Sequence, residues 1–426
     1  MPVDPGQGIV PDGWKAVRLE DVAEVNPRRP KLEISDETSV TFLPMAAIAE
    51  NCRGVLKPQI CPYSEVSNGY TYFENCDTLI AKITPCLENG KHFLASGLEL
   101  GFGFGTTEFH VVRATKGITP RFLFRVLIQP RNLERYAKNF TGTAGQQRVQ
   151  PDALKSTQFL LPPIREQRAI AEILDSIDES IERTEAVIAA TEKVRDSLLN
   201  ELLTCGMPGW HTEWRDVPGI GTIPASWEVV RLGEVAEVIM GQSPPGANVL
   251  GLEGVRPDAP GLPFIQGNAE FGERVPAPVK WCVKPLKVAL PGDTLVSVRA
   301  PVGDTNRVES PLAIGRGLSA IRFRDLDPIY GWHLISNVSN VFERVAQGST
   351  FTAIGGQQLR ELPIPSPSCR EQRTIASLMD GVDDAIVNQR SELELLQLFK
   401  ASTADALLTG QVRVGKEHDP SNGTSE

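Results

Sequence analysis

The sequence predicts an α/β (α+β) protein built twice over. It comprises two similar mixed α/β domains separated by two long helices that form an antiparallel coiled coil, with a pseudo-twofold left by tandem duplication. Three observations carry this expectation. Segments recur in the same order at offsets of 205 to 216 residues. Each copy closes on a proline-flanked Arg-Glu-Gln-Arg followed by a long apolar 3-4 periodicity. Between these landmarks lie short strand-like runs broken by Gly, Pro and Asn.

In chain order, Trp14-Lys-Ala-Val-Arg-Leu-Glu-Asp-Val-Ala-Glu-Val25 matches Trp227-Glu-Val-Val-Arg-Leu-Gly-Glu-Val-Ala-Glu-Val238. Asp77-Thr-Leu-Ile80 then matches Asp293-Thr-Leu-Val296, and Pro85 matches Pro301. Two copies of so long a segment make a duplicated domain rather than a solenoid. Runs such as Thr78–Ile83, Phe109–Arg113 and Thr294–Ala300 read as strands of an irregular globule. Pro120–Tyr136 and Tyr330–Gln347 read as a helical stretch in each copy.

The long helices follow. Pro162, Pro163, Pro365 and Pro367 end the extended segments before them, because proline lacks a donor and disfavours helix at the residue preceding it. Behind the first copy, Ile170, Leu174, Ile177, Ile181 and Ile188 form an apolar stripe; behind the second, Ile375, Met379, Val382, Ile386 and Leu393 do. Thr184, Thr191 and Gln389 make that seam imperfect. Helices of this length run roughly 55–60 Å at about 1.5 Å per residue. The expected boundaries are a globule at 1–160, a helix at 161–205, a globule at 206–365, a helix at 366–410 and a disordered tail at 411–426.

A chain of 426 residues, 41% hydrophobic and 23% charged, suits a globular protein of two or three domains. It has no apolar run long enough for a membrane span and no signal-like N-terminus, so a cytoplasmic protein is expected. Seven scattered cysteines without a C-x-x-C, and five histidines without ligand spacing, predict neither disulfides nor metal. The net charge of −10 argues against nucleic acid until it is divided by region. Residues 1–160 hold 18 Lys+Arg against 17 Asp+Glu and residues 206–365 hold 14 against 16, so the acidity sits in the helices and tail. Near-neutral globules can still bind DNA where their cations cluster. Two like readers related by a twofold also suit paired half-sites on duplex DNA, about 34–36 Å per turn.

The order of globule, Leu-Pro-x-x-x-x-Glu-Gln-x-x-Ile-Ala-x-x-Leu-x-x-x-Asp helix, second globule and second such helix resembles the specificity (S) subunit of type I restriction-modification enzymes. Leu161, Pro162, Glu166, Gln167, Ile170, Ala171, Leu174 and Asp178 carry the first copy; Pro367, Glu371, Gln372, Ile375, Ala376, Met379 and Asp383 carry the second. The resemblance implies a non-catalytic role. Each globule would be a target recognition domain reading one half of a split duplex target. The helices would serve as spacer and docking surface for two methyltransferase (modification) subunits, and restriction/translocase subunits can join. S-adenosylmethionine would belong to the methyltransferase, leaving this chain without a cofactor. On that reading Glu166, Gln167, Glu371 and Gln372 are candidates for docking a partner.

DNA contacts are chosen by chemistry, since Arg and Lys suit guanine or phosphate, and Asn and Gln suit adenine. The first globule offers Lys82, Lys91, Thr106, Thr107, and Gln146, Gln147 and Arg148 in a Gly-rich loop. The second offers Gln266, Asn268, Arg299, Arg307 and Arg316, with Ser349, Thr350 and Gln357 in the counterpart loop. Asn26-Pro-Arg-Arg-Pro30 only superficially resembles an amine-methylation motif, Gly101-Phe-Gly-Phe-Gly-Thr106 reads as a turn, and no phosphate-binding loop is present. The alternative is a stand-alone bilobal protein-interaction scaffold without sequence-specific DNA binding.

Overall fold

The computed structural model describes residues 10–142, 147–253, 255–256, 259–337 and 353–414. The chain divides into two compact units. The first comprises residues 1–183 and 393–426, the second residues 184–392, so each unit owns part of both long helices.

In the first unit, a four-stranded antiparallel sheet runs Ala23–Val25, Phe109–Ala114, Thr78–Ala81, His92–Leu94. A second sheet runs Gln59–Pro62, Ser39–Leu43, Phe102–Gly105, Thr71–Glu74, with Ser39–Leu43 and Phe102–Gly105 parallel. A two-stranded ladder of Lys15–Arg18 with Gln158–Leu161 joins the start of the globule to its end. That ladder delivers the chain to the long helix Ile164–Cys205. The expected helical stretch is two helices, Pro120–Leu127 and Pro130–Ala137, because Pro130 cannot continue the first and starts the second at its N-terminal turn.

The second unit repeats this topology and adds one edge strand, Val249–Gly251, to its mixed sheet. Its antiparallel sheet runs Ala236–Met240, Leu318–Phe323, Thr294–Ser297, Thr305–Arg307. Its mixed sheet contains the parallel pair Leu262–Ile265 and Leu312–Ile314. The ladder Glu228–Arg231 with Pro363–Ser366 leads into the helix Cys369–Leu408. A hairpin of Trp214–Val217 and Gly221–Pro224 precedes it.

The Asp-Thr-Leu repeat has the same purpose in both units. Asp77 and Asp293 are buried, accept the backbone N–H of Glu74 and Leu290, and receive the guanidinium forks of Arg113 and Arg322. A buried carboxylate needs such a set of donors to offset its lost hydration.

Within each unit the two helix segments run antiparallel. In the first, Glu166 meets Arg413 and Asp178 meets Lys400; in the second, Arg195 meets Asp383 and Met207 N–H meets Glu371. Ile170, Leu174, Ile177 and Ile181 are buried in one cluster with Leu407, Leu408 and the globule's Phe122 and Leu123. Leu199, Leu202 and Leu203 are buried with Ile375, Ala376, Met379 and the globule's Tyr330 and Leu334. The stripe is therefore a helix seam and a seat for the globule at once. Ile188 and Ile386 are also buried, while Val382 and Leu393 are partly exposed. Residues 411–414 do not belong to a structureless tail, because Arg413 and Val414 hold Glu166; the rest of that expected tail, 415–426, lies outside the described residues.

Candidate nucleic-acid interface

In the first unit the register of the sheet brings the candidate residues to one end. Lys82 follows the central strand; its N–H donates to the Glu108 carbonyl and its own carbonyl accepts from Val149. An isolated bridge joins Ile83 to Arg148, and Thr84 N–H donates to the Gln147 carbonyl. Lys82, Glu108, Gln147 and Arg148 therefore converge on one rim. Thr106 joins them by accepting the Glu108 N–H, and Thr107 is exposed beside it. Lys91 lies at the end of the following turn, its N–H donating to Cys86.

Charge on this rim is coupled. Glu108 receives Arg148 Nε at 2.9 Å and Nη2 at 2.8 Å. Those bonds hold the Glu108 carboxyl below the usual carboxylate range, and burial pushes the Lys82 ammonium below the usual lysine value. Gln146 lies outside the described residues.

In the second unit the equivalent end gathers Gln266, Asn268, Arg299 and Arg316. Gln266 and Ser243 hydrogen-bond each other, and Ser243 accepts the Arg316 N–H. Asn268 donates to Asp304 at 2.7 Å. Arg299 bridges to Ala353. Arg299 and Arg316 are exposed, and among the described residues neither guanidinium has a hydrogen-bond partner. Arg307 is placed elsewhere: it pairs with Asp380 on the helix at 2.6 Å and lies over Trp332. Gln357 is exposed and donates to Glu361, while Ser349 and Thr350 lie outside the described residues.

The Glu-Gln pair of each helix start is turned inward, which corrects the expectation that it docks a partner. Glu166 is 6% exposed; it accepts Trp14 Nε1–H at 2.9 Å and the Arg413 fork at 2.7 and 2.9 Å. Gln167 is fully buried, accepting Thr119 N–H and donating to the carbonyls of Gly117 and Pro162. Glu371 accepts Trp227 Nε1–H at 3.0 Å, His211 Nε2–H at 2.7 Å and Met207 N–H. Gln372 accepts Asp327 N–H and donates to Pro367. In both units the glutamate ties a globule tryptophan to a side chain lying just past the end of the other long helix, Arg413 in the first and His211 in the second. The glutamine ties the helix base to the segment entering the globule's own helix. Side chains so buried, with their hydrogen bonds made inside the chain, are not presented to a partner.

Sequence reasoning missed Trp14, Trp227, Arg413 and His211 as members of this clasp, and also Arg125. Arg125 is buried and pairs with Asp175 and Asp178 of the first long helix, and Lys400 also reaches Asp178. The tryptophans were visible as repeat landmarks, but nothing local named their acceptor. Among the described residues no group of His, Cys, Asp and Glu gathers as a metal site, and no helix is long and apolar enough to cross a membrane.

Known proteins align with this arrangement. The profile described as type I restriction modification DNA specificity domain matches residues 11–193 and 224–395. A protein of Methanocaldococcus jannaschii assigned as the specificity subunit of the type I restriction enzyme MjaX is 31% identical over 427 residues, spanning 96% of this chain and 95% of that one. The specificity subunit of the Escherichia coli type I restriction enzyme EcoAI is 35% identical over 199 residues, 45% of this chain and 33% of that one. A chain from a structural study of complex assembly and conformational transition of the type I R-M system superposes with a TM-score of 0.61 at 28% identity, covering 95% of this chain and 100% of that one. The type I restriction-modification S subunit from M. genitalium shares the fold, with a TM-score of 0.59 at 14% identity over 93% of this chain and 96% of that one.

Proposed function

This chain belongs to the type I restriction-modification DNA specificity family, and from that premise we infer that it is the DNA-target-recognition subunit of a type I restriction-modification complex. The observation that carries the reading is the repeated frame. Two globules of one topology present different polar and cationic side chains at the same end of the same sheet. A shared frame with divergent loops is what two readers of two different half-targets require.

Each globule reads one half of a split duplex target. Lys82, Gln147 and Arg148, with Lys91, Thr106 and Thr107, serve the first half; Gln266, Asn268, Arg299 and Arg316 serve the second. Exposed faces of the helix pair dock two methyltransferase subunits, which bind S-adenosylmethionine, and restriction subunits can join them. The chain itself performs no chemistry and works in the cytoplasm. The stand-alone scaffold reading gains no support from the family match.

The test is assembly of the full chain with the methyltransferase subunits of its own system, followed by binding to a duplex library. A split sequence bound about 1,000-fold or more tighter than random duplex is expected. Affinity for the random duplex should fall steeply with salt, by a log–log slope of about 0.9 per phosphate contacted. Equal affinity for every duplex refutes the reading.

A further inference from the structure

The first unit holds a cleft of about 500 Å³ between its globule and its two helix segments. Ile128 and Leu133 of the globule, with Leu174 and Leu408 of the long helices, form its apolar wall. Such a volume suits a small molecule, whose sites combine apolar walls with a few converging polar groups. The polar groups here converge at the start of the helix Pro130–Ala137, which lines the cleft and has no side-chain cap.

Gln129 is 6% exposed and lines the cleft; its oxygen accepts Arg131 Nε–H at 3.0 Å and Nη2–H at 2.7 Å. With the oxygen turned to the arginine, the NH2 points the other way, and among the described residues it donates to nothing. Arg131 is half-buried, and among the described residues its guanidinium has no carboxylate within ion-pair distance. Burial pulls it below the usual arginine value, and the field of Asp405 offsets only part of that. The other cations of the cleft are already matched: Arg125 pairs with Asp175 and Asp178, and Lys400 with Asp178. Burial pushes the Cys52 thiol up to about 11, so it stays neutral. Glu88 and Asp405 also line the cleft, both exposed. A buried amide NH2, an arginine edge and an uncapped helix start are donors that meet in one place.

We propose that this cleft binds a small organic anion, a carboxylate or phosphate on an apolar or aromatic body, with its anionic group on Arg131 and the Gln129 NH2. The proposal goes beyond DNA recognition and does not depend on it. The walls belong to the globule and to both helix segments, so a ligand there holds the globule to the helices and stabilises the first unit by linkage.

The test titrates the full chain by calorimetry with benzoate and AMP, each against a partner lacking the charge, benzamide and adenosine. At least one anion is expected to bind with a Kd of about 1 mM or tighter, and its uncharged partner about 10-fold or more weakly. The two arms separate a carboxylate site from a phosphate site. Hydrogen exchange should slow in peptides covering 125–133 and 397–408, and nowhere in the second unit. R131Q is expected to lose about 10- to 100-fold in affinity, the worth of a charged hydrogen bond. Ala401→Leu, which narrows the cleft and keeps both donors, is expected to weaken binding as well. Binding of neither anion up to about 10 mM overturns the proposal, as does equal affinity for the uncharged partners. Unchanged affinity in R131Q overturns it too. So does an R131Q chain that loses its methyltransferase subunits while neither anion binds the unaltered one, because the cleft then takes a side chain of a partner.

Discussion

Replacing Gln167 by leucine tests the inward role of the helix-start motif. The amide is fully buried and makes three hydrogen bonds, to Thr119 N–H at 2.7 Å and to the carbonyls of Pro162 at 2.8 Å and Gly117 at 2.9 Å. Leucine has similar bulk and satisfies none of them. Gly117 is exposed, so its carbonyl can turn to water, whereas Pro162 is buried and Thr119 half-buried. At about 1 kcal/mol per lost bond, the substitution costs about 3 kcal/mol. For a folding unit of this size that lowers Tm by about 6–12 °C. Gln372 makes two such bonds, to Asp327 N–H and Pro367 O, so Gln372→Leu costs about 2 kcal/mol. Scanning calorimetry gives the shifts, and peptide-resolved hydrogen exchange assigns each to its own unit. A shift under about 2 °C for Gln167→Leu, or a larger one for Gln372→Leu, refutes the assignment. So would a stable Gln167→Leu protein that has lost only its partner subunits, since that is the behaviour of a docking residue.

Two further perturbations follow from burial. Met379 is fully buried among Leu199, Leu202, Ile375 and Tyr330, so Met379→Ala is expected to cost about 2–5 kcal/mol, read as a lower urea midpoint with opening confined to the second unit. His92 is buried, accepts Ala81 N–H at Nδ1 and donates from Nε2 to Leu87 O, and burial pushes it down to about 4. Its folded value lies below its unfolded one, so its stabilising share is intact above about pH 6.5 and is lost as pH falls toward about 4. At about 1.4 kcal/mol per unit this amounts to about 3 kcal/mol. Urea midpoints should drop across that window, and His92→Gln, which cannot titrate, should flatten the first unit's share of the drop.

Much of this architecture was legible because duplication repeats its own punctuation. Proline before Arg-Glu-Gln-Arg, then apolar residues at helical spacing, announces a long helix twice. The inward orientation of Glu166 and Gln167 was legible too, by spacing. Glu166 lies four residues before Ile170, and Gln167 three before Ile170 and four before Ala171, so all share the buried face. Their polarity suggested the surface, and periodicity is the stronger guide, because a buried face tolerates polar groups that find partners. Arg307 shows the opposite limit: its chemistry suits a phosphate or a guanine, yet Asp380 on the long helix takes it.

The sequence alone determined the duplication, the paired long helices, the mixed α/β character of each globule and the likeness to a family. All of these are local or periodic signals, written within a few turns of helix or a few strands. The tertiary structure alone decided which side chains meet. Glu166 finds Trp14 across 152 residues and Arg413 across 247, and Glu108 finds Arg148 across 40. Sheet register and chain crossing set those meetings, and neither leaves a period in the sequence to read.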